Sequence, residues 1–187
     1  MTAAPRRAGR PPARVGILGG TFDPIHLGHL RMAEWLREAF SLDRVLFIPA
    51  AMPPHKPGRA ITPGEIRLAM IRAAVARNES FEASDLELTR GGLSYSVETL
   101  DALRERFGPG ADLHFAMGSD QFAEIETWKD WGRIFELTHV VVVARPQEDP
   151  GASGRALPVE SRESFCYAPI ANSFRHASGM NVFFRDA

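Results

Sequence analysis

Residues 15–31 have the sequence Val15-Gly-Ile-Leu-Gly-Gly-Thr-Phe-Asp-Pro-Ile-His-Leu-Gly-His-Leu-Arg31, and the rest of the chain is arranged around them. The apolar run Val15–Leu18 predicts a short buried strand. Gly19-Gly20 ends that strand and allows the backbone to turn or to approach a ligand closely. Asp23-Pro24 then marks a helix start, and the spacing of apolar residues from Leu27 onward predicts an amphipathic helix.

Two histidines stand at the start of this predicted helix. His26 and His29 are three residues apart, so both imidazoles share one face of the first turn. Gly28, between them, has no side chain that would hold a ligand away, and the helix N-terminus adds positive potential at the same place. The combination predicts a site for a polyphosphate. The alternative is a capped helix with two solvated histidines.

The same segment carries a resemblance to a known family. Gly19-Gly-Thr-Phe-Asp-Pro-Ile-His-Leu-Gly-His29 resembles the signature of the nucleotidyltransferases that contain an H-x-G-H motif. Its longer form, G-G-T-F-D-P-x-H-x-G-H, is similar to that of bacterial nicotinate-nucleotide adenylyltransferases. The resemblance implies that His26 and His29 are the catalytic residues and contact the ATP phosphates. It also implies further ATP contacts at Gly19, Gly20, Thr21, Phe22 and Gly28, and a substrate contact at Asp23.

Composition and charge are typical of a globular protein. The 187 residues are enough for one domain with a proper core, and 44% hydrophobic with 24% charged residues is ordinary for such a domain. A net charge of −1 gives no sign of a nucleic-acid or membrane partner. Cys166 is the single cysteine, which excludes an intramolecular disulfide and favours a reducing compartment, so we expect a cytoplasmic location.

The order of predicted elements indicates an α/β fold. Residues 1–13 are rich in Ala, Pro and Arg without the apolar segment of a secretory signal, and we expect a disordered leader before a domain of residues 14–187. After the first helix, the predicted strands are Arg44–Pro49, Phe81–Leu88, Asp112–Met117, His139–Ala144 and Asn181–Arg185. Helices are predicted from Thr62 to about Arg77 and from Leu93 to about Phe107, and much of residues 147–179 is predicted to be loop.

This alternation requires a parallel sheet with helices on both faces and right-handed crossovers. The resemblance implies the same architecture, a Rossmann-like open parallel sheet of the H-x-G-H nucleotidyltransferase type, over roughly residues 14–187. In the second predicted helix, Thr62 is the expected N-cap, with Pro63 at the first position and Glu65 completing a capping box. The expected inward residues of that helix are Ile66, Met70, Ile71 and Ala74.

Two further segments extend the resemblance on the acceptor side. Pro53-Pro54-His55-Lys56 resembles the P-P-H-K loop of the nicotinate enzymes, which implies that His55 and Lys56 contact phosphate or the mononucleotide; a solvated turn is the alternative. Leu93–Leu100 is similar to the S-Y-T-x-x-T-L segment of the same family, which implies a mononucleotide pocket that includes Ser94 and Tyr95. A capping role is the alternative for Ser94.

Three segments follow the later strands. Gly118-Ser119-Asp120 resembles the family's G-x-D beside the nucleotide, which implies ATP contacts at Gly118 and Asp120; a strand–helix turn capped by Ser119 or Asp120 is the alternative. Arg145-Pro146 resembles the family's R-P, and Arg145 is expected to pair with an ATP phosphate. Trp128 lies in a T-W segment that the resemblance places by the nicotinate ring, whereas Trp131 is expected to pack.

The resemblance implies a reaction in which ATP and nicotinate mononucleotide give deamido-NAD and pyrophosphate. The 5′-phosphate of the mononucleotide is already an anionic nucleophile, so the protein needs chiefly to bring two repelling phosphates together and to neutralise charge during in-line displacement. His29 is the expected stabiliser of the developing charge. Mg²⁺ is expected on pyrophosphate, bridging phosphate oxygens rather than protein ligands.

Other chemistries were tested against the sequence. It contains no G-x-x-x-x-G-K-[S/T] loop, no H-E-x-x-H and no G-x-S-x-G elbow. The family carries a further phosphate-binding motif, I-S-S/A-T-x-x-R, after the last strand, and Phe184–Ala187 stands where that motif would begin. We therefore expect this chain to lack that segment, with catalysis weakened. The alternatives are another acceptor, such as nicotinamide mononucleotide or phosphopantetheine, or nucleotide binding without turnover.

Overall fold

The structure is a computed structural model that describes residues 13–54, 60–144 and 157–186. Its strands are β1 Arg14–Gly20, β2 Arg44–Pro49, β3 Phe81–Ala83, β4 Asp112–Gly118, β5 His139–Ala144, β6 Phe165–Ala168, β7 Ser173–His176 and β8 Asn181–Asp186. Its helices are α1 Leu27–Ala39, α2 Gly64–Val75, α3 Leu86–Arg90, α4 Ser96–Phe107, α5 Ser119–Ala123 and α6 Trp131–Leu137, with 3-10 turns at Ile125–Thr127 and Val159–Ser164.

The strands form one sheet in the order β3-β2-β1-β4-β5-β8-β7-β6. Neighbouring strands from β3 to β8 run parallel, whereas β7 and β6 continue the sheet as an antiparallel hairpin. The chain moves outward from β1 through β2 and β3, and then returns to the other side of β1 with β4. In open α/β sheets, ligands bind at the carboxyl ends of the strands where this order reverses. Here that position lies between β1 and β4.

Helices cover both faces of the sheet, as the Rossmann-like prediction required. Val15 and Ile17 lie in one core cluster with residues of α4, α5 and α6, whereas Leu18 lies in a second cluster with residues of α1 and α2. Side chains of a strand alternate between faces, so β1 contributes to both cores. A Cβ at Gly16 would lie 2.9 Å from Leu42 Cδ1, so the glycine lets the end of α1 and its following turn pack closely on β1.

Of the five strands predicted after the first helix, four are confirmed within one residue, but Phe81–Leu88 is not. Only Phe81–Ala83 is a strand, and Leu86–Arg90 is a short helix. The helix begins there because the carbonyl of Asp85 accepts the N–H of Thr89 at 2.8 Å. The predicted parallel sheet is confirmed from β3 to β8, and the antiparallel β6–β7 hairpin adds two strands within residues 147–179, of which much was predicted to be loop.

The predicted start and inward face of α2 need correction. The helix begins at Gly64 with Pro63 as N-cap, one position later than predicted. Thr62 lies one residue before the N-cap, because the carbonyl of Pro63 accepts the first helical N–H groups, those of Ile66 and Arg67. The N–H of Thr62 donates to Asp23 Oδ2. Ile66, predicted to face inward, is 52% exposed. Ile71 is buried as predicted, whereas the predicted Ala74 is exposed, and the other buried side chains of α2 are Arg67, Leu68 and Val75.

Two further predictions concern the limits of the chain and its elements. Helix α4 begins at Ser96, three residues later than predicted. Apart from Ala13, the predicted leader lies outside the described residues.

Among the described helices, none combines the length and the apolar character that crossing a bilayer requires.

Candidate active site

The turn after β1 is held in a fixed shape by its own side chains. Phe22 has φ of +49°, in the left-handed region that a bulky residue enters only at a cost on the order of 1–2 kcal/mol. This conformation sends the Phe22 ring into the core, where it is 3% exposed and lies 6.0 Å from the ring of Phe47. Any ligand contact at Phe22 therefore has to use its backbone. The predicted contacts Gly19 and Gly20 end β1 directly before this turn.

His26 and His29 form a stacked pair at the N-terminus of α1. Their ring centroids are 3.7 Å apart with an interplanar angle of 26°, and the edge of His29 also meets the Phe22 ring at 4.9 Å. His26 is the N-cap, and its backbone N–H donates to His29 Nδ1 at 3.2 Å. Burial, with Coulombic repulsion from His26, lowers the pKa of His29 to about 4.

These contacts define the chemical state of His29. A pKa of about 4 keeps its imidazole neutral near pH 7. Because Nδ1 accepts a hydrogen bond, the single ring proton lies on Nε2. His29 is thus a neutral hydrogen-bond donor, oriented by the backbone of the residue with which it stacks.

Gly28 is required by this histidine pair. A Cβ at position 28 would lie 3.1 Å from both Cε1 and Nδ1 of His26. A side chain there would force the His26 ring to shift by a few tenths of an ångström relative to His29. Besides the room for a ligand that the sequence predicts, glycine at position 28 therefore leaves room for the His26 ring.

The end of β4 contributes the second wall of the crevice. Gly118 pairs with Val143 of β5 and is the N-cap of α5, so neither Ser119 nor Asp120 caps this helix. Its N–H donates to Gln121 Oε1 at 3.1 Å. A Cβ at Gly118 would overlap Asp120 Oδ1, so the glycine allows the exposed Asp120 carboxylate to fold back over the strand end. Both predicted residues of this segment therefore lie together.

The predicted mononucleotide residues lie around the start of α4. The hydroxyl of Ser94 accepts the N–H of Ala51 at 2.8 Å, which ties this segment to the end of β2. Tyr95 is the N-cap of α4, and Lys129 Nζ lies 4.6 Å from the centroid of its ring. Tyr95 and Trp128 are both partly buried against the same core cluster. Ser94 and Tyr95 therefore lie together before α4, and Trp128, from a distant part of the chain, packs on the same core cluster as Tyr95.

Other sequence-predicted residues have different positions. Asp23 is exposed, and its Oδ2 accepts the N–H of Thr62 at 2.9 Å, so it ties the turn after β1 to the start of α2. Trp131 packs against the core with its ring 6.2 Å from that of Phe135, as expected of a packing residue. His55, Lys56 and Arg145 lie outside the described residues.

Arg67 is the residue that the sequence argument missed. It is 1% exposed, and its guanidinium donates to three backbone carbonyls, those of Thr62, Thr21 and Ala50. A signal was present in the sequence, since Arg67, Ile71 and Val75 recur at four-residue spacing along one helical face. A charged residue on an otherwise apolar face indicates a buried polar contact.

Comparisons with known proteins agree with this geometry. A cytidylyltransferase-like family model matches residues 17–181. A relative from Citrifermentans bemidjiense, named "Probable nicotinate-nucleotide adenylyltransferase", is 49% identical over 173 residues, which are 92% of this chain and 80% of the relative. A relative of the same name from Geobacter sulfurreducens is 48% identical over 170 residues, 91% of this chain and 78% of the relative.

A solved structure shows the same fold at much lower identity. Plasmodium falciparum nicotinic acid mononucleotide adenylyltransferase, complexed with NaAD, superimposes with a TM-score of 0.66 at 14% identity, covering 94% of this chain and 75% of that one. The match of the family model over most of the chain, with relatives near 49% identity, settles the family. The chain belongs to the nicotinate-nucleotide adenylyltransferases, within the cytidylyltransferase-like family.

Proposed function

We propose that this chain joins ATP to nicotinate mononucleotide in the crevice between the carboxyl ends of β1 and β4. This reaction, which forms deamido-NAD and pyrophosphate, is the activity of the family to which the chain belongs. The single observation that carries the site assignment is the stacked pair His26 and His29, in which the Nδ1 contact leaves His29 with a proton on Nε2.

The chemistry requires positioning and charge neutralisation more than bond activation. A 5′-phosphate oxygen of the mononucleotide attacks the α-phosphorus of ATP, and the bond to the bridging oxygen breaks as pyrophosphate leaves with that electron pair. The nucleophile is already an anion, so no side chain has to remove a proton. Donors that are fixed before the reaction stabilise the extra charge on the phosphoryl oxygens without reorganising.

The proposed donors come from α1 and the turn before it. His29 Nε2–H donates to a phosphate oxygen where charge develops, and the exposed His26 ring lies stacked beside it. The first turn of the 13-residue α1 directs backbone N–H groups and the positive end of its dipole to the same place. Gly20 and Thr21 bring the backbone within reach of the nucleotide.

The acceptor and the rest of the nucleotide take the neighbouring strand ends. Gly118 and Asp120 are proposed to lie beside the nucleotide. Ser94, Tyr95 and Trp128 are proposed to line the mononucleotide pocket, with an aromatic face available to the cationic pyridinium ring. The proposed phosphate roles of His55, Lys56 and Arg145 stay predictions, as does the cytoplasmic location.

The donor set fits Mg²⁺ that arrives on the triphosphate. Mg²⁺ prefers oxygen ligands, whereas the residues that lie nearest to the phosphates in this proposal offer imidazole and backbone N–H groups. When bound, Mg²⁺ neutralises charge on the pyrophosphate leaving group through phosphate oxygens. The protein's own donors then serve the α-phosphoryl group.

An acceptor panel tests the function. Purified protein is incubated with ATP, Mg²⁺ and either nicotinate mononucleotide, nicotinamide mononucleotide or phosphopantetheine, and pyrophosphate release is measured. Release that depends on nicotinate mononucleotide supports the proposal. Faster release with either other acceptor would replace the substrate assignment. Binding of a non-hydrolysable ATP analogue without turnover on any acceptor would contradict the proposed activity and favour a nucleotide-binding protein.

A further inference from the structure

A buried arginine lies directly behind the turn that follows β1. Arg67 projects from the first turns of α2, and each of its three hydrogen bonds is 2.7 Å long. Nε donates to the carbonyl of Thr62, Nη1 to that of Thr21 and Nη2 to that of Ala50. One guanidinium thus connects three segments, namely the turn after β1, the residue after β2 and the start of α2.

Burying a charged guanidinium at this position costs desolvation free energy. Burial lowers the pKa of Arg67, while the nearby Asp23 carboxylate acts in the opposite direction. A buried cation usually has a carboxylate in direct contact, whereas the hydrogen bonds of Arg67 go to neutral carbonyls. An apolar side chain of similar volume would avoid the desolvation cost, but it would leave the carbonyls of Thr62, Thr21 and Ala50 without these donors. The guanidinium therefore calls for an explanation beyond packing.

The orientation of the peptide groups provides that explanation. In a trans peptide, the C=O and the following N–H point in opposite directions. The carbonyl of Gly20 points toward β2, where it accepts the N–H of Ala50 at 2.9 Å, so the Thr21 N–H is directed toward β4 and the crevice. The carbonyl of Thr21 points inward to Arg67, so the Phe22 N–H is directed away from the interior.

We propose that Arg67 is a positioning residue for ATP. Its guanidinium fixes the carbonyls of Thr21 and Ala50 so that the N–H groups of Thr21 and Phe22 face the phosphates. Its positive charge, enclosed behind the turn, adds to the attraction that these groups exert on a polyanion. This inference rests on the proposed function, because it assigns the phosphates of ATP to the crevice between β1 and β4.

The fork shape of the side chain is part of the inference. The donors of a guanidinium are fixed in one plane and reach three carbonyls at once. A lysine ammonium keeps the charge but places its donors on one atom, so it cannot span the carbonyls of Thr62, Thr21 and Ala50 together. Arg67→Lys therefore tests geometry, and Arg67→Met tests geometry and charge together.

The chain offers a matched control at the other end of the sheet. Arg104 of α4 also donates to backbone carbonyls, those of Ala111 at 2.6 Å and Leu137. Ala111 directly precedes β4, and Leu137 lies two residues before β5, so this guanidinium ties the amino ends of the strands. Arg104→Met removes the same kind of contact far from the crevice.

The experiment compares Arg67→Met, Arg67→Lys and Arg104→Met with the wild-type chain. Measurements are the thermal midpoint, kcat, the KM for each substrate, and the Kd of a non-hydrolysable ATP analogue by calorimetry, all below the lowest midpoint. We expect both Met variants to lower the midpoint. Of the two Met variants, only Arg67→Met should raise the KM and Kd for the nucleotide, by tenfold or more. Its KM for nicotinate mononucleotide should stay within about twofold of wild type. The nucleotide KM and Kd of Arg67→Lys should lie between those of wild type and Arg67→Met. Equal nucleotide Kd values for Arg67→Met and Arg104→Met would overturn the inference.

A measurement on the wild-type chain keeps the inference testable if Arg67→Met does not fold. Addition of the ATP analogue is expected to shift the ¹⁵N–¹H signals of the Thr21 and Phe22 amides. Binding of the analogue that leaves both signals in place would overturn the inference. If both signals shift but no acceptor gives pyrophosphate, the proposed function fails, while binding of the nucleotide at the two amides that Arg67 is proposed to orient is supported.

Discussion

The sheet carries a close pair of histidines at each end, and the two pairs differ in what surrounds them. At the carboxyl ends of the strands, His26 and His29 stack with centroids 3.7 Å apart. At the amino ends, His114 of β4 and His139 of β5 lie with centroids 4.9 Å apart. The residue types are the same, so their surroundings decide what each pair can do.

The amino-end pair lies next to a carboxylate of the protein itself, that of Asp112. His139 Nε2 lies 3.2 Å from Asp112 Oδ1, and Arg14 Nε lies 3.2 Å from Oδ2 of the same carboxylate. The hydrogen bond from His139 is the main reason why the pKa of Asp112 falls to about 2. The backbone N–H of Asn181 donates to His139 Nδ1 at 2.9 Å, which places the ring proton on Nε2, facing the carboxylate.

This arrangement has a consequence for metal binding. Asp112, His114 and His139 place potential ligand atoms within 4.8 Å of one another. A metal on His139 would need the Nε2 lone pair, but the Asn181 contact makes Nε2 a donor. The cluster is therefore better described as a carboxylate that is paired with Arg14 and faces two imidazoles than as a metal site.

The comparison teaches how one residue type serves two purposes. At the amino ends, a carboxylate stands next to the histidines, with Asp112 Oδ1 3.2 Å from His139 Nε2. At the carboxyl ends, Gly28 stands between the histidines, and the donor of His29 is oriented by a backbone contact to its other nitrogen. In the proposed complex, a phosphate of ATP would lie next to His29 Nε2, as Asp112 lies next to His139 Nε2.

The largest expected effect separates the two pairs by activity. His29→Asn removes the Nε2 donor, and we expect kcat/KM to fall by about 10²–10³, as for loss of a donor that stabilises developing charge. His139→Asn is the control, and it should lower the thermal midpoint with kcat within about threefold of wild type. Pyrophosphate release with nicotinate mononucleotide measures both. A His29→Asn variant with nearly wild-type kcat/KM would mean that His29 does not contribute to catalysis.

The second prediction concerns acid and the buried pair. His114 is 3% exposed, and burial lowers its pKa from 6.5 to about 4. The unfolded chain therefore takes up a proton between about pH 6.5 and 4 that the folded chain refuses, so stability falls as the pH falls through this range. His114→Phe, next to the ring of Phe40, removes this contribution.

Urea unfolding at pH 7.5 and pH 4.5 measures this effect. A shift of this size corresponds to about 2–3 kcal/mol between the two pH values. We expect the pH-dependent loss of unfolding free energy to be smaller in His114→Phe by roughly that amount. The same loss in the variant as in wild type would show that His114 is not the group that titrates.

Local features of the sequence were enough to predict the strand, turn and helix that bring His26 and His29 together. The strand, the glycine turn and the helix that carries His26 and His29 are contiguous in the chain, so periodicity and motif spacing determine their arrangement. The network around Arg67 could not be predicted in this way, because its partners are 5, 17 and 46 residues away. Such contacts exist only after the sheet has brought the segments together.

The edge of the sheet was harder to predict for a different reason. Strands β6 and β7 have four residues each, and they include exposed positions such as Cys166 and Tyr167. Short edge strands lack the continuous apolar run that made the buried β5 easy to identify. Asp23 and Ser94 were predicted from motifs as substrate residues, but their hydrogen bonds to Thr62 and Ala51 become visible only in the folded chain.

The smallest expected effect comes from replacing Gly28, which lies between His26 and His29. In Gly28→Ala, the new Cβ would meet the His26 ring at 3.1 Å and move it, and we expect kcat/KM to fall about tenfold. Alanine favours a helix over glycine by up to about 1 kcal/mol, so the thermal midpoint should not fall. Gly132→Ala in α6 is the matched control, since nothing lies within 4 Å of its new Cβ. Steady-state kinetics and thermal unfolding of both variants measure the effect. Equal activities of Gly28→Ala and Gly132→Ala would mean that the His26 ring can move without loss of activity. Of the carboxyl-end pair, only His29 would then need a fixed position.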